Sequence, residues 1–306
     1  MKKNLILVGM YALFCLPAAA LFAQNADSTA TTDTVKYWKT NFKFALNVNQ
    51  ASFSSNWKAG GVNSIGLSSL LNVKANYKKN KSSWDNEIDL LFGFVNNDGQ
   101  GYRKTQDRIF LDTKYGYDLS KHWSFYTSLN FLSQFAPGYV YNDDGTKTII
   151  SDGFAPAFLT SSWGLEYHPV DYFKVRVSPF SPRFTFVSDV ERFVTPANPE
   201  PYGVAPPDNM RTEWLAFQLL ADFNKDIATN LNLKWRYIMY ANYETLELKT
   251  IDHRLDLNIT AKVNKFINVS LGGILLYDYD QDSGAQLSQL LNIGFLYTFQ
   301  NYKEEK

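Results

Sequence analysis

The chain has 306 residues with 30 basic and 30 acidic side chains, so its formal charge is zero. This balance leaves no basic excess for binding nucleic acid, and the length suits one large domain or two small ones. After the first 23 residues, no stretch of about 18 apolar residues occurs, which excludes a membrane-spanning helix. The single cysteine, Cys15, lies within those first residues, so the rest of the chain has no disulfide to stabilise it.

The first 23 residues are predicted to be a secretory signal peptide. Lys2 and Lys3 precede an apolar run over residues 5–21, and cleavage is expected after Ala23. The following residues, 24–40, are rich in Ser, Thr, Asp and Ala. We interpret them as a flexible periplasmic N-terminal segment, because such a composition buries too little apolar surface to fold.

From residue 41 to residue 300, apolar and polar residues alternate, as in strands that have one apolar and one polar face. Twelve segments follow this pattern, and most approach the roughly 9–11 residues that a tilted strand needs to cross a bilayer. The predicted segments are 42–49, 67–77, 87–94, 108–117, 123–135, 159–168, 173–178, 215–223, 231–239, 254–263, 267–278 and 291–299.

The connections between these segments alternate between long and short. The six long ones are 51–64, 96–106, 137–156, 188–211, 244–252 and 279–288, and the five short turns are 78–83, 120–121, 169–171, 225–229 and 264–265. Outer-membrane barrels have an even number of strands, long outer loops and short periplasmic turns. Aromatic residues at many segment ends, such as Tyr77, Trp84 and Trp123, are typical of the girdles at membrane interfaces.

The sequence therefore predicts an all-β fold, a twelve-stranded antiparallel up-and-down transmembrane β-barrel over residues 41–300, with residues 301–306 as a periplasmic C-terminal tail. The alternative is a soluble all-β protein whose apolar face points to a core. Some segments exceed ten residues, whereas strands of soluble proteins average about 5–6 residues. We therefore expect a barrel surrounded by lipid in the outer membrane of a Gram-negative bacterium.

The first long connection contains a motif, residues 56–64, that resembles the N-terminal motif of a Bacteroidota outer-membrane barrel family known as domain of unknown function 3078. The resemblance runs from about residue 41 to residue 299 and is mostly one of pattern outside the motif. It implies an outer-membrane barrel and no activity, because the family has none to carry over. The loop-motif residues are Trp57, Gly60, Gly61, Asn63 and Ser64.

The inward face of the predicted barrel carries ten basic and six acidic candidate residues, and Asp278 adds a seventh acid. Such charges cannot lie unpaired in a dry interior, so they either line water or form salt-bridge networks that fill the lumen. Twelve strands lie between small filled barrels and open channels of about 16–18 strands, and a slight basic excess would favour anions. The predicted lumen-lining charged residues are Lys43, Lys74, Glu87, Asp89, Arg108, Asp112, Lys114, Glu166, Lys174, Arg176, Asp222, Lys234, Arg236, Arg254, Asp256 and Lys262.

Other candidate chemistry is weaker. His122 and Ser124 are two residues apart, as in outer-membrane phospholipases of this size, but they follow a short turn, and Ser124 is predicted to face inward, away from lipid. Asp278, Asp280 and Asp282 alternate like the start of a calcium loop, although the later bidentate acid is missing. No catalytic residue is assigned, so the chain is predicted not to be an enzyme and to need no cofactor.

The function that this pattern favours is a narrow passive channel for small hydrophilic solutes, lined above all by Lys174, Arg176, Arg236 and Asp256. The alternative is a non-conducting structural or assembly subunit of a larger outer-membrane complex. Its long extracellular loops would then contact other envelope proteins. Outer-membrane lipid is the partner that both hypotheses require, and neither involves nucleic acid.

Overall fold

A computed structural model describes residues 37–52, 54, 62–142, 145–196, 198–264 and 266–302. The predicted signal peptide, most of the predicted N-terminal segment and residues 303–306 of the tail lie outside the described residues. The first strand begins at Trp38, three residues before the predicted start of the barrel, and the last strand ends at Gln300.

The described chain contains sixteen strands and three short 3-10 helices. None of the helices in the described part is long and apolar enough to cross a membrane. The helices are Val190–Phe193, Pro201–Gly203 and Leu248–Thr250. The strands are β1 Trp38–Ala51, β2 Ser64–Lys79, β3 Ser82–Asn97, β4 Gly101–Asp118, β5 Trp123–Ser133, β6 Gly138–Tyr141, β7 Lys147–Ser151, β8 Ala157–Val170, β9 Phe173–Phe180, β10 Arg183–Phe186, β11 Met210–Glu213, β12 Ala216–Ala228, β13 Leu231–Asn242, β14 Asp252–Lys262, β15 Ile267–Asp278 and β16 Asp282–Gln300.

Fourteen of these strands form one closed antiparallel sheet. β9 and β10 are one barrel strand interrupted at Ser181 and Pro182, because both pair with β8, and proline has no N–H to donate. β11 and β12 likewise continue one another, pairing with β10 and β9. The ring therefore has twelve barrel strands in the order β1, β2, β3, β4, β5, β8, β9/β10, β11/β12, β13, β14, β15, β16. The predicted fold is confirmed, and each predicted segment overlaps one of these strands; the segments 123–135, 215–223 and 254–263 extend one or two residues beyond theirs.

The predicted loops are only partly correct. The connections predicted to be long at 96–106 and 279–288 are tight turns, because β3, β4 and β16 extend well beyond the predicted segments. Another predicted long connection, 137–156, contains the separate hairpin of β6 and β7. In these end portions of the strands both faces are polar. The alternation that marks a half-apolar strand therefore disappears there.

The apolar face of each strand points out and the polar face points in. In β1, Phe42 and Leu46 are 37% and 43% exposed, whereas their neighbours Asn41 and Asn47 are only 7% and 6% exposed. The same inversion continues around the ring: Leu257 is exposed, and the buried side chains are mostly polar. Soluble proteins bury their apolar residues, so this surface is suited to lipid.

Candidate functional site: the barrel lumen

The two ends of the barrel differ, and we name them by their connections. The turn end carries the short connections β2–β3, β4–β5, β8–β9, β12–β13 and β14–β15. The loop end carries the hairpin turns β3–β4 and β15–β16 and the longer connections. The inward side chains between these two ends form the candidate site.

Two ion pairs cross the whole lumen. Arg236 on β13 lies 3.4 Å from Glu87 on β3, and Arg108 on β4 lies 3.5 Å from Asp256 on β14. Each pair joins strands that are six positions apart in the ring of twelve, so its partners start from opposite walls. The side chains therefore close the centre of the barrel.

Adjacent charges hold these crossing pairs in place. Arg236 also binds Asp222 at 2.7 Å, and Arg108 binds Asp89 at 2.5 Å. Arg254 binds Asp256, the partner of Arg108 on the opposite wall, at 2.8 Å. Arginine suits this role because its planar group can donate to two acceptors at once.

A second cluster lies on the neighbouring wall, nearer the turn end. Lys114 binds Glu166 at 2.7 Å and Asp85 at 3.1 Å. Arg176 binds the same Glu166 at 2.8 Å and lies 3.8 Å from Asp112. Lys114 and Arg176 are almost fully buried, and buried charges of this kind require close partners.

Most predicted lumen-lining residues join this network. Lys174 lines the lumen without an ion pair inside 4.0 Å to any described residue, and Lys43 and Lys262 have exposed side chains near the turn end. The residues brought together by ion pairs are Lys74, Glu87, Asp89, Arg108, Asp112, Lys114, Glu166, Arg176, Asp222, Lys234, Arg236, Arg254 and Asp256.

The sequence prediction missed Asp85. It shares the inward face of β3 with Glu87 and Asp89, but the predicted segment started at residue 87. Continuing the polar alternation of β3 by two residues towards its N-terminal end would have identified Asp85. The prediction also missed Arg183, which lies on the short strand β10 after the Ser-Pro interruption.

A neutral hydrogen-bonded layer fills part of the lumen. Ser162 donates to Gln218 at 2.9 Å and accepts from Ser181 at 3.2 Å. Tyr126 and Ser178 form a further hydrogen bond. All five side chains are buried, and their partners offset the cost of removing polar groups from water.

The loop end has its own charged group. Arg183 on β10 binds Asp252 on β14 at 2.9 Å and stacks on the ring of Tyr240 at 3.3 Å from its centre. Arg211 on β11 binds Asp280, in the β15–β16 turn, at 2.5 Å. The Arg183 pair spans three positions of the ring, and the Arg211 pair spans three to four because Asp280 lies between β15 and β16. Both pairs therefore narrow this end of the barrel as well.

Two loops pack together at the loop end into a unit that we call the loop cap, formed by the β5–β8 and β10–β11 connections. Its apolar centre contains Ala155, Val187, Val190, Phe193 and Val204. The hydroxyl of Tyr202 donates to the Ile150 carbonyl at 2.5 Å. Burial raises the pKa of Tyr202 to about 12, so this donor keeps its proton at neutral pH.

The remaining candidates do not gather into a site. Asp278 accepts from the backbone of Asp280, Asp282 accepts from the backbone of Gly284, and the carboxylate of Asp280 binds Arg211. Within the described ranges, no three His, Cys, Asp or Glu side chains are placed to hold a metal ion. The three aspartates therefore have separate partners.

The His-Ser pair is likewise separated. Ser124 donates to Asp118 at 2.9 Å, and the ring of His122 lies 3.3 Å from the backbone oxygen of His168. Neither side chain is hydrogen-bonded to the other, although nucleophilic catalysis would require such a bond.

The loop motif is only partly described. The backbone oxygen of Asn63 accepts a hydrogen bond from the backbone N–H of Asp98 at 2.8 Å, and Ser64 begins β2. Trp57, Gly60 and Gly61 lie outside the described residues.

These features define a closed twelve-stranded β-barrel with an apolar exterior and an ion-paired lumen. Residues 48–139 match the model of a family described as a protein of unknown function, DUF3078. This segment contains the motif 56–64, so the predicted resemblance is confirmed over less than half of the chain. No curated protein matches the sequence.

Several solved structures are similar in outline. An outer-membrane channel from Pseudomonas putida F1 has a TM-score of 0.40 and 9% identity, covering 89% of this chain and 99% of that one. The NanC porin has a TM-score of 0.38 and 8% sequence identity, and the match covers 83% of this chain and 98% of that one. The translocator domain of the autotransporter NalP from Neisseria meningitidis has a TM-score of 0.37 and 10% identity, and the match covers 95% of this chain and 96% of that one. At these values, the assignment of the fold rests on the strand pairing of this chain itself.

Proposed function

We propose that this chain is an outer-membrane β-barrel that provides a narrow path for small hydrophilic solutes, held closed in this conformation by ion pairs across its lumen. The observation that carries the proposal is the contact of Arg236 with Glu87 and of Arg108 with Asp256 from opposite walls. A path lined by mobile charged side chains can open when such contacts separate.

The membrane location is supported by the two faces of the strands. Large apolar side chains are exposed around the outside, while asparagine, serine and charged side chains are buried inside. A barrel is also the one sheet arrangement that leaves no unpaired edge in lipid. β5, with 11 residues, is as long as a tilted strand needs to be to cross a bilayer, and β16, with 19, is longer.

Conduction requires the charged layer to be hydrated or hydratable. The side chains of Lys74 and Lys234 are 32% and 38% exposed, although they lie inside the barrel. Water therefore reaches the turn-end side of the layer. The crossing pairs themselves are 10–24% exposed, which places them at the boundary of this wet region.

A second candidate function is a non-conducting structural barrel. It is favoured by the loop cap, whose centre includes Val187, Val190 and Val204 at 1% exposure or less. Two loops held together by a buried apolar centre present a fixed outer surface that a partner protein can bind. In that case the cross-lumen pairs would serve only to fill the interior.

Single-channel recording in planar bilayers separates the two candidates. The wild type is expected to open rarely, and the double variant Arg108→Gln/Asp256→Asn to open more often, because one crossing contact is removed. The matched control is Lys249→Gln/Glu247→Gln, which removes an exposed loop pair at 2.9 Å. A wild type that stays sealed at every voltage, with a folded double variant equally sealed, rejects the channel and leaves the structural barrel.

A further inference from the structure

The turn-end half of the lumen contains a cavity of about 160 Å³. Its lining comes from β2, β3, β4, β9, β12 and β13 and reaches the turn between β8 and β9. The volume is sufficient for several water molecules or one small ion. The cavity borders the ion-paired layer but is not needed to explain the closure of the lumen.

The charged groups around the cavity are equal in number but unequal in how well they are paired. Five basic and five acidic residues line it. Arg236 is bound at 2.7 Å by Asp222, and Arg176 at 2.8 Å by Glu166. Among the acids, Asp85 is bound by Lys114 at 3.1 Å. The arginines and Lys114 therefore engage Asp222, Asp85 and, at 3.8 Å, Asp112. The remaining acid besides Glu87 is Asp171, which is exposed in the β8–β9 turn.

Three lysines are left over. Lys74 and Lys234 share one carboxylate, that of Glu87, at 3.4 and 4.0 Å, and that carboxylate also accepts from Asn72 at 2.9 Å. Lys174 has no ion pair inside 4.0 Å to any described residue. Its register partner is Asp222 on β12, which Arg236 already binds.

The ammonium groups of these lysines also lack hydrogen bonds. In the part of the chain that the structure describes, no hydrogen bond joins the Nζ atom of Lys74, Lys174 or Lys234 to a protein acceptor. Each ammonium has three N–H groups to donate. Lys74 and Lys234 lie five positions apart in the ring, yet their Nζ atoms converge on one oxygen of Glu87.

We propose that this cavity is a binding site for a small oxyanion, with the phosphate and carboxylate chemistry that several ammonium groups can bind together. An oxyanion offers acceptors to donors that arrive from β2, β9 and β13 at once. Asn76 and Asn224 line the same cavity, and their side-chain amides add neutral donors. Binding goes beyond the proposed function, because it requires access from the turn end and not conduction through the barrel.

Inorganic phosphate is the direct probe, titrated calorimetrically into the full barrel in a phosphate-free, lipid-free maltoside detergent. Sodium chloride keeps the ionic strength constant, and sodium malonate forms a second arm that tests carboxylates. The wild type is expected to bind one phosphate saturably. Lys174→Gln and Lys234→Gln are each expected to weaken binding about tenfold or more, since each loses a charged hydrogen bond.

Two further variants make the test independent of misfolding. Glu87→Gln is expected to bind phosphate more tightly than the wild type, because it removes the one carboxylate that competes for Lys74 and Lys234. Lys121→Gln, an exposed lysine at the turn end that does not line the cavity, is expected to leave binding unchanged. Saturable binding with this pattern supports the site.

The opposite results overturn it. No saturable binding by the wild type removes the site, whatever the bilayer recordings give. Equal affinity in the wild type, Lys174→Gln and Lys234→Gln places any bound phosphate elsewhere. Weaker binding by Glu87→Gln contradicts the assignment of that carboxylate as a competitor.

Discussion

The ammonium of Lys114 on β4 lies 2.7 Å from the carboxylate of Glu166 on β8, although β5 stands between their strands. Both side chains are less than 10% exposed, and Arg176 binds the same carboxylate. The buried carboxylate of Glu166 is thus a counter-ion for two buried basic side chains.

The first prediction concerns this shared acid. Glu166→Gln leaves Lys114 and Arg176 short of a buried counter-charge, so we expect the free energy of unfolding to fall by about 3–5 kcal/mol. Urea unfolding in detergent micelles measures the change. The matched control is Glu244→Gln, the same substitution at an exposed position. Equal stability of the two variants would show that the lumen network does not stabilise the barrel.

The second prediction tests the seam that closes the ring between β1 and β16. Only seven residue pairs join these strands, and at Gly294 a Cβ would lie 2.5 Å from the Leu46 backbone oxygen and would also strike the side chain of Asn47. We expect Gly294→Ala to destabilise the barrel by about 1–3 kcal/mol through overpacking. In Gly272→Ala, the nearest atom is the Leu290 oxygen at 3.9 Å. The measurement is the heat-modifiable gel mobility of the folded barrel, which the control should retain and which Gly294→Ala should lose more readily. Equal mobility of the two variants would contradict the tight seam.

The third prediction tests the lipid face. Leu257 lies in the middle of β14 with its side chain outward, so Leu257→Arg is expected to cost about 2–4 kcal/mol in a bilayer. Leu246→Arg, at an exposed loop position, should cost little. Refolding yields into lipid vesicles at increasing urea provide the measurement. A barrel that tolerates arginine at residue 257 as well as at 246 would not have this wall in lipid.

The fourth prediction concerns the loop cap. Tyr202→Phe removes the hydrogen bond to the Ile150 carbonyl, which is expected to weaken the packing of the two loops by about 1 kcal/mol. Limited proteolysis should then cut the β10–β11 loop faster than in the wild type. Tyr102→Phe, at a 71% exposed tyrosine, is the control. Unchanged cleavage in Tyr202→Phe would mean that the hydroxyl does not hold the loops together.

The fifth prediction is a pH dependence of the same tyrosine. Burial raises the pKa of Tyr202 from 10.0 to about 12, so folding favours its neutral form. The stability that it contributes is fully present below pH 10 and is lost as the pH rises through about 12. Subtracting the tyrosinate absorbance titration of Tyr202→Phe from that of the wild type isolates this group. A difference curve with its midpoint near 10 would show that the hydroxyl is not buried.

The sequence by itself determined the architecture, because the period of two survives wherever one face of a strand is apolar and the other is polar. Within the predicted segments it also indicated which charges face inward, since the parity of each strand is fixed by its apolar residues, whereas Asp85 and Arg183 lay outside those segments. Where strands extend beyond the apolar band, as in β3, β4 and β16, that signal was absent and the predicted loops were wrong.

Only the tertiary structure decided which inward charges meet. Arg236 and Glu87 are 149 residues apart, and nothing in the local sequence of either strand pairs them. Their contact follows from the closure of the ring, which sets β3 and β13 on opposite walls at matching heights. The same closure leaves Lys174 without a close counter-ion and brings Lys74 and Lys234 together, because the register of distant strands is a property of the whole sheet.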